Sequence, residues 1–445
     1  MTILKRKINT YLLDWKKNPD RLPLVVKGGR QIGKTTSVLH FANSAYQNII
    51  NINFALEPKY KTIFADGYDV ESITRNISLI NPSLVFTSGQ TLIFFDEIQA
   101  CPQCATSLKS FKIDGRYDVI CSGSMMGINY HEIESNSVGY KTDYEMHSMD
   151  FEEYLWAEGY TDRVIGGLID KMLTLQPLSV IEMDVLTQLF RNHIVLGGMP
   201  KVVATFVRQK NFSGTLQLQR QLLLDYQEDI TKCAIGLDKG RIQSVFNHLA
   251  VFLSQENKKF QITKVAHGAR TRDYVGVTDW LDAAGIVNIC YCLDQVSLPL
   301  KGNYNPKSFK LYFKDTGMLI ASLDEEAQTD LRANRNFNQY KGAVYENIVA
   351  DMLVKQGYNL YYYKNEKSTL EMDFFIRDSR HLIPVEVKAT DHSTRSLNRL
   401  IDDNDKYPDI RYGIKLCRNN IGFNGKIYTF PYFLAFLLKR YCHEK

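Results

Sequence analysis

The 445-residue sequence contains no run of 18 apolar residues, so it offers no segment of the kind that crosses a bilayer as a helix. Its first residues, Met1-Thr2-Ile3-Leu4-Lys5-Arg6-Lys7, lack the apolar core of a signal peptide, and the expectation is a cytoplasmic protein without a membrane partner. Cysteine is scarce as well. The 8 cysteines are mostly isolated, which reads as reduced thiols rather than a disulfide framework. Cys101-Pro102-Gln103-Cys104 is the local exception. Its one candidate partner pair for zinc is Cys290 and Cys292, in a stretch that reads as a strand, so Cys101 and Cys104 are taken as incidental residues near a helix start. Charge of one sign is also in short supply: 54 Lys and Arg against 49 Asp and Glu leave +5, which permits a nucleic-acid partner without requiring one.

What is present is an ordinary globular composition, 44% hydrophobic and 23% charged, on a chain too long for one core. Gly28-Gly29-Arg30-Gln31-Ile32-Gly33-Lys34-Thr35 matches the pattern G-x-x-x-x-G-K-[ST]. Leu22, Leu24, Val25 and Val26 before it read as a buried strand, and Thr36 to Ala42 after it reads as a helix. In that context the loop N–H groups and the helix N-terminus meet phosphate oxygens, Lys34 reaches the β and γ phosphates, and Thr35 ligates Mg²⁺. The expected ligand is ATP with Mg²⁺, contacted by Gly28 to Thr35 and by Thr36. Downstream, Thr91-Leu92-Ile93-Phe94-Phe95 carries Asp96 to the carboxyl end of a buried strand, where a carboxylate holds the water shell of Mg²⁺, and leaves Glu97 as the base that orients the attacking water. A third strand, Tyr117 to Cys121, ends in Ser122-Gly123-Ser124; Ser124 is a candidate sensor of the γ phosphate, and a serine-rich turn is an equally good description.

These residues resemble a known family. Gly-x-Arg-Gln-x-Gly-Lys-Thr, Phe95 to Gln99 and Ser-Gly-Ser are similar to the AAA-like P-loop ATPases of bacteria and archaea, the type with an additional strand. The likeness continues through Met149-Asp150-Phe151-Glu152-Glu153-Tyr154-Leu155, Leu196-Gly197-Gly198-Met199-Pro200 and Tyr312-Phe313-Lys314-Asp315-Thr316-Gly317, and extends into a C-terminal domain of unknown function. Family members usually show Gly-Arg shortly before the Asp-Phe-Glu-Glu segment. Here that place reads Gly139-Tyr140-Lys141, so no arginine finger carries over, and Lys141 would replace its charge but not its fork.

Ile3, Leu4, Ile8, Leu12 and Trp15 recur at helical spacing, which predicts a helix over the first 17 residues packed on the nucleotide domain. Residues 150–235 read as helices that cover the nucleotide site. From Arg241 the pattern becomes three short helices and then two strands, Ile286 to Leu293 and Phe309 to Phe313, the order of a winged helix-turn-helix, which the family resemblance also implies. Arg270 and Arg272 fall at the start of its third helix with Lys258, Lys259 and Lys264 nearby, where a recognition helix meets duplex DNA. A winged helix used for packing remains the alternative.

In the last domain a helix from Gly342 to Lys355 carries Glu346. It is followed by the strands Glu371 to Ile376 and Ile383 to Lys388 about a turn at Ser379 and Arg380. That turn sets Asp373 opposite Glu386 and Glu371 opposite Lys388. The acid and the Glu-x-Lys resemble the PD-(D/E)xK nucleases, which implies Asp373 and Glu386 as ligands of Mg²⁺ or Mn²⁺ and Lys388 as the residue that activates water, with Glu346 and Glu371 as helpers. A hairpin with cross-strand charge pairs uses the same residues. The expected fold class is α/β: an AAA-like P-loop domain at 1–148, a helical lid or connector at 149–238, a winged helix at 239–333 and a nuclease-like domain at 334–445. The expected function is an ATPase whose nucleotide state controls the C-terminal parts, acting on DNA; the rival is a slow ATP-gated switch in protein assembly. A homo-oligomer is compatible with either.

Overall fold

The first element shows how side-chain demand sets an element's start. Helix α1 (Lys7–Lys17) buries Ile8, Leu12 and Trp15 along one stripe, but it begins at Lys7 rather than near Met1. Arg6 is extended, at φ −129° and ψ 151°, because its guanidinium is buried against backbone carbonyls elsewhere. The structure, a computed structural model, describes residues 3–124, 137–234, 239–254, 274, 276–323, 325–333, 335, 337–365, 369–388 and 394–445. The chain divides into two units, Met1–Ser148 with Ala283–Gly285, and Met149–Asp282 with Ile286–Lys445.

After α1 the first unit runs β1 (Leu24–Gly28), α2 (Lys34–Ala45), β2 (Asn48–Asn53), α3 (Val70–Ile80), β3 (Thr91–Asp96), α4 (Gln103–Asp114), β4 (Asp118–Ser124) and β5 (Thr142–Met146). The strands form one parallel sheet in the order β2-β3-β4-β1-β5. An all-parallel sheet needs helical crossovers and apolar strands, and β3 supplies the most apolar of them, with Leu92 to Phe95 wholly buried. Strand β4 lies between β1 and β3, which is the additional strand of the resemblance. Strand β5 was not expected from the sequence: Thr-Asp-Tyr-Glu-Met at the sheet edge buries only Met146, so it carries no hydrophobic run. Because all five strands point one way, the residues that end β1, β2, β3 and β4 meet at one edge.

The second unit opens with helices α5 (Phe151–Ala157), α6 (Asp162–Thr174), α7 (Val180–Leu196), α8 (Pro200–Gln209), α9 (Thr215–Cys233), α10 (Lys239–Ser254) and α11 (Val277–Ala283). Next come β6 (Val287–Leu293), β7 (Tyr304–Phe313), α12 (Thr316–Ala321), α13 (Glu325–Arg332) and α14 (Phe337–Lys355). The remainder is β8 (Leu360–Lys364), β9 (Glu371–Met372), β10 (Phe374–Arg377), β11 (Leu382–Val387), α15 (Arg395–Asp402), β12 (Gly413–Cys417), β13 (Gly422–Phe423), β14 (Ile427–Pro431) and α16 (Leu438–Glu444).

Two sheets organise this half, β7-β6-β8-β9 and β10-β11-β12-β14-β13. The hairpin expected as a wing does form, with Val287 opposite Phe313, but its other edge is not free: β6 pairs in parallel with β8, Cys290 beside Leu360. A single core, with Leu293, Tyr361, Phe375, Leu382, Leu400 and Ile427 among its members, draws on both sheets. Of the helices expected before the wing, the first corresponds to α10 and the end of the third to α11. Arg270, Arg272, Lys258, Lys259 and Lys264 lie outside the described residues.

Candidate functional site

The loop between β1 and α2 closes tightly at Gly28, whose φ is +153°; a Cβ there would lie 2.1 Å from the Met146 carbonyl oxygen of β5. Gly33, at φ +92°, is the N-cap of α2, so the first N–H groups of that helix open onto the loop. Gln31 also takes a left-handed φ of 59°. Lys34 is buried and donates to the carbonyl oxygens of Gly28 at 3.1 Å and Gly29 at 2.6 Å. Burial pushes its ammonium down to about 8 against the pull of Glu97 and Asp96. The loop thus holds its own lysine folded over backbone oxygens, in the place where an anion would draw it.

Asp96 is the centre of the edge. It is 2% exposed and its carboxylate takes four donors. The Thr35 hydroxyl of α2 and the Asn53 amide of β2 both donate to Oδ2 at 3.0 Å; the Ser122 hydroxyl of β4 and the Glu97 N–H at 3.0 Å donate to Oδ1. A hydroxyl and a carboxylate in contact at the mouth of a phosphate loop are an oxygen donor set that suits Mg²⁺, and Thr35 and Asp96 are the residues that would hold it. Glu97 sits at φ 56°, strained for a residue with a side chain, and accepts from the Gln99 amide. Ser124 ends β4 beside Gly28 and is buried, whereas Thr36 is exposed on α2.

Three contributors were not found from the sequence. Asn53 was legible only as a strand end. Ser122 rather than Ser124 reaches Asp96. Arg6, 5% exposed, donates to the Ile32 carbonyl of the loop at 2.7 Å and to the His147 carbonyl just past β5 at 2.7 Å, and so ties the loop to the sheet edge. Lys141 is held by Asp143 at 2.7 Å within its own strand region.

In the C-terminal domain the expected pairing of strands is present. Phe374 stands opposite Val385, the register that a turn at Ser379 and Arg380 sets. The expected strand over 371–376 is, however, two strands in two sheets. Met372 pairs with Tyr363 of β8, Phe374 pairs with Val385 of β11, and the strand is interrupted between them at Asp373, whose Oδ2 accepts from the Val387 N–H at 2.8 Å. Glu371 therefore does not face Lys388. It contacts Lys364 at 3.2 Å and Lys310 at 3.3 Å, while Lys388 pairs with Glu386 at 2.9 Å. Burial raises the Glu386 carboxyl against the pull of Lys388, and its Oε2 has no partner.

Glu346 on α14 is buried and accepts from Lys310 at 3.1 Å and from the Tyr312 hydroxyl. Burial would lower the Lys310 ammonium, but the carboxylates of Glu346, Asp373 and Glu371 outweigh it and hold the group well above the usual lysine range. Among the described residues no group of three or more His, Cys, Asp or Glu is placed to hold a metal. The carboxylates expected as Mg²⁺ or Mn²⁺ ligands and helpers are instead met by lysines, Glu346 and Glu371 by Lys310, Glu371 also by Lys364, and Glu386 by Lys388, and this arrangement does not fit a divalent ion.

Comparison with known proteins agrees with the first unit and is silent on the chemistry of the second. Residues 20–155 match the family described as AAA domain. Residues 187–329 and 341–433 match two domains of unknown function, DUF8612 and DUF4143. No curated protein matches the sequence. Among solved structures the chain is similar to the Walker-type ATPase paby2304 of Pyrococcus abyssi, at 13% identity and a TM-score of 0.43, covering 72% of this chain and 96% of that one. It is also similar to the Aeropyrum pernix ORC1 protein in complex with DNA, at 10% identity and TM-score 0.30 over 76% of this chain and 94% of that one. The Thermotoga maritima RuvB Holliday junction branch migration motor follows at 12% identity and TM-score 0.31, over 74% and 95%. Likenesses this distant say nothing of this chain's own partners.

Proposed function

We propose that the AAA-like first unit binds ATP with Mg²⁺ and hydrolyses it. The observation that carries this reading is the contact of the Thr35 hydroxyl with the Asp96 carboxylate at 3.0 Å, directly beneath a loop that ends in buried Lys34. When bound, Mg²⁺ supplies positive charge to the β and γ phosphate oxygens. The chain does the rest. Loop N–H groups and the α2 N-terminus orient the triphosphate, and Lys34 leaves the Gly28 and Gly29 carbonyls for phosphate oxygen. Asp96 is kept in place by Asn53 and Ser122, and Glu97 turns from Gln99 to take a proton from the attacking water. Lys34→Ala is expected to lose nucleotide binding in calorimetry. Glu97→Gln should bind ATP as before and lose at least ~100-fold in turnover; unchanged turnover would remove Glu97 as the base.

For the second unit, two readings follow from the family resemblance. One makes it a DNA-processing half, with Arg270, Arg272 and Lys264 on duplex phosphates and a nuclease-like site at Asp373, Glu386 and Lys388. The other is an ATP-gated switch in assembly, with slow hydrolysis and an inert nuclease-like domain. The burial of the Lys310 ammonium against Glu346 and Glu371, with Lys388 on Glu386, favours the second reading, because the two helpers and one of the two expected ligands are already paired with lysines.

A further inference from the structure

Arg6 occupies the N-cap position of α1 but caps nothing with its side chain, and that side chain is buried. An arginine is rarely buried without partners, and here its guanidinium reaches two backbone oxygens. Nη1 donates to the Ile32 carbonyl and Nη2 to the His147 carbonyl, each at 2.7 Å, the short range of a charged donor. One acceptor belongs to the phosphate loop and the other follows β5. Loop and strand are already close: a Cβ on Gly28 would lie 2.1 Å from the Met146 carbonyl oxygen and 2.6 Å from the Ile32 side chain. Arg6 fastens that approach from outside the motif.

Peptide geometry says what the Ile32 bond does to the loop. The Ile32–Gly33 peptide is trans, and the C=O and N–H of a trans unit point in opposite directions. Holding the Ile32 oxygen toward Arg6 therefore turns the Gly33 N–H away from it. The restraint matters at this place, because Gln31 at φ 59° and Gly33 at φ 92° flank Ile32 with left-handed backbone, and a glycine leaves the unit free to turn. As N-cap of α2, Gly33 carries one of the N–H groups that have no partner within the helix. We infer that Arg6 is a positioning residue for the triphosphate: through the Ile32 carbonyl it fixes the direction of the Gly33 N–H, and so sets nucleotide affinity without touching the reacting atoms. The inference rests on the reading of the first unit as an ATP site and adds to that site a residue outside its loop. An N–H that is aimed beforehand needs no ordering when the anion arrives, so the effect belongs to binding. The chemical step is left intact, since Asp96 and Glu97 are held by Thr35, Asn53, Ser122 and Gln99.

The test compares Arg6→Met with Arg21→Met in the full chain, by calorimetric titration and steady-state ATPase with Mg²⁺ present. Arg21 is the matched control: it donates to the two Asp118 oxygens at 2.6 and 3.0 Å, at the opposite end of β4 from the phosphate loop. Arg6→Met is expected to bind ATP roughly 10-fold more weakly and to raise KM by a like factor, with kcat within about twofold of wild type. Inorganic tripolyphosphate, which has neither base nor sugar, should lose the same factor. Arg21→Met should melt lower and keep the wild-type Kd and KM. An unchanged Kd in Arg6→Met would overturn the inference, as would a fall in kcat at constant KM or an equal weakening in Arg21→Met. Should Arg6→Met not fold, Arg6→Lys decides: this variant keeps the charge but reaches one carbonyl at a time, so weaker binding with kcat retained supports the inference and a wild-type Kd overturns it. Failure of both to fold while Arg21→Met folds assigns Arg6 to the fold alone and also overturns it. Wild-type protein that binds neither ATP nor tripolyphosphate would sink the ATP reading itself, whereas ATP binding that ignores Arg6→Met sinks only the inference about Arg6.

Discussion

Lys34 shows how one side chain can report on the whole site. Burial lowers its pKa from 10.5 to about 8, so the folded, nucleotide-free protein disfavours the charged form. The unfolded chain binds more protons between about pH 8 and 10.5. The cost is therefore complete below pH 8 and disappears as pH rises toward 10.5, an effect on the order of 3 kcal/mol. A polyanion reverses this by favouring the ammonium. ATP binding near pH 8 should accordingly take up a fraction of a proton, read in calorimetry as a binding enthalpy that depends on the buffer's ionisation heat. The same measurement on Asp96→Asn keeps Lys34 and should retain the uptake wherever binding persists. A buffer-independent enthalpy for wild type would mean that Lys34 does not move from the Gly28 and Gly29 carbonyls to phosphate.

At the scale of elements, three motifs that carried the family resemblance become one junction within the second unit. Asp150 caps α5: its carboxylate accepts from Glu153 N–H at 2.9 Å, and Glu153 accepts from Asp150 N–H at 3.3 Å. That is a capping box, and it explains the Asp-Phe-Glu-Glu spacing without any ligand. The residue before it, Met149, donates its N–H to the Gly198 carbonyl at 2.7 Å, and Gly198 in turn donates to Asp315 Oδ2 at 2.8 Å. Asp315 caps α12 through Gly317 N–H. A Cβ on Gly198 would lie 2.0 Å from the Met149 carbonyl oxygen, a backbone atom that has no free path away. Gly198→Ala should therefore destabilise the second unit by ~2–4 kcal/mol, visible as a lower denaturant midpoint. ATP affinity of the folded fraction should stay as it was, because no residue of the junction belongs to the phosphate loop. An unchanged midpoint would show that the junction opens at little cost.

For the whole molecule, the division at Ser148 puts the parallel sheet with its phosphate loop in one unit and the helices, the hairpin and the C-terminal sheets in the other. The chemistry follows that division: Lys34, Asp96 and Glu97 are in the first unit, Lys310, Glu346 and Glu386 in the second. The two readings of the second unit separate in one measurement, the ATPase rate of the full chain with and without duplex DNA, run alongside a cleavage assay. The switch reading expects a slow rate that DNA changes less than about twofold, no cleavage, and association that depends on ATP. DNA-stimulated turnover with cleavage would overturn it. In that case binding should weaken with salt in proportion to the phosphates that Arg270, Arg272 and Lys264 neutralise, and a change of both arginines should flatten the slope by roughly 2.

The sequence by itself determined what rests on neighbours in the chain. The phosphate loop is consecutive residues with a strand before and a helix after. Asp96 follows an apolar run that only a buried strand accommodates, and the β10–β11 register follows from the length of its turn. Tertiary structure decided what rests on residues distant in sequence. Strand β5 exists because β1 offers an edge, not because Thr142 to Met146 is apolar. The expected strand over 371–376 is divided because two different sheets claim its halves, which takes Glu371 away from Lys388 and gives it to Lys310. Arg6, Asn53 and Lys310 acquire their roles from partners 26, 43 and 36 positions away. Hydrophobic period and turn length act over a few residues and leave a local pattern. A buried charge takes whichever partner the packed fold brings within 3 or so ångströms, and no spacing in the chain records that choice.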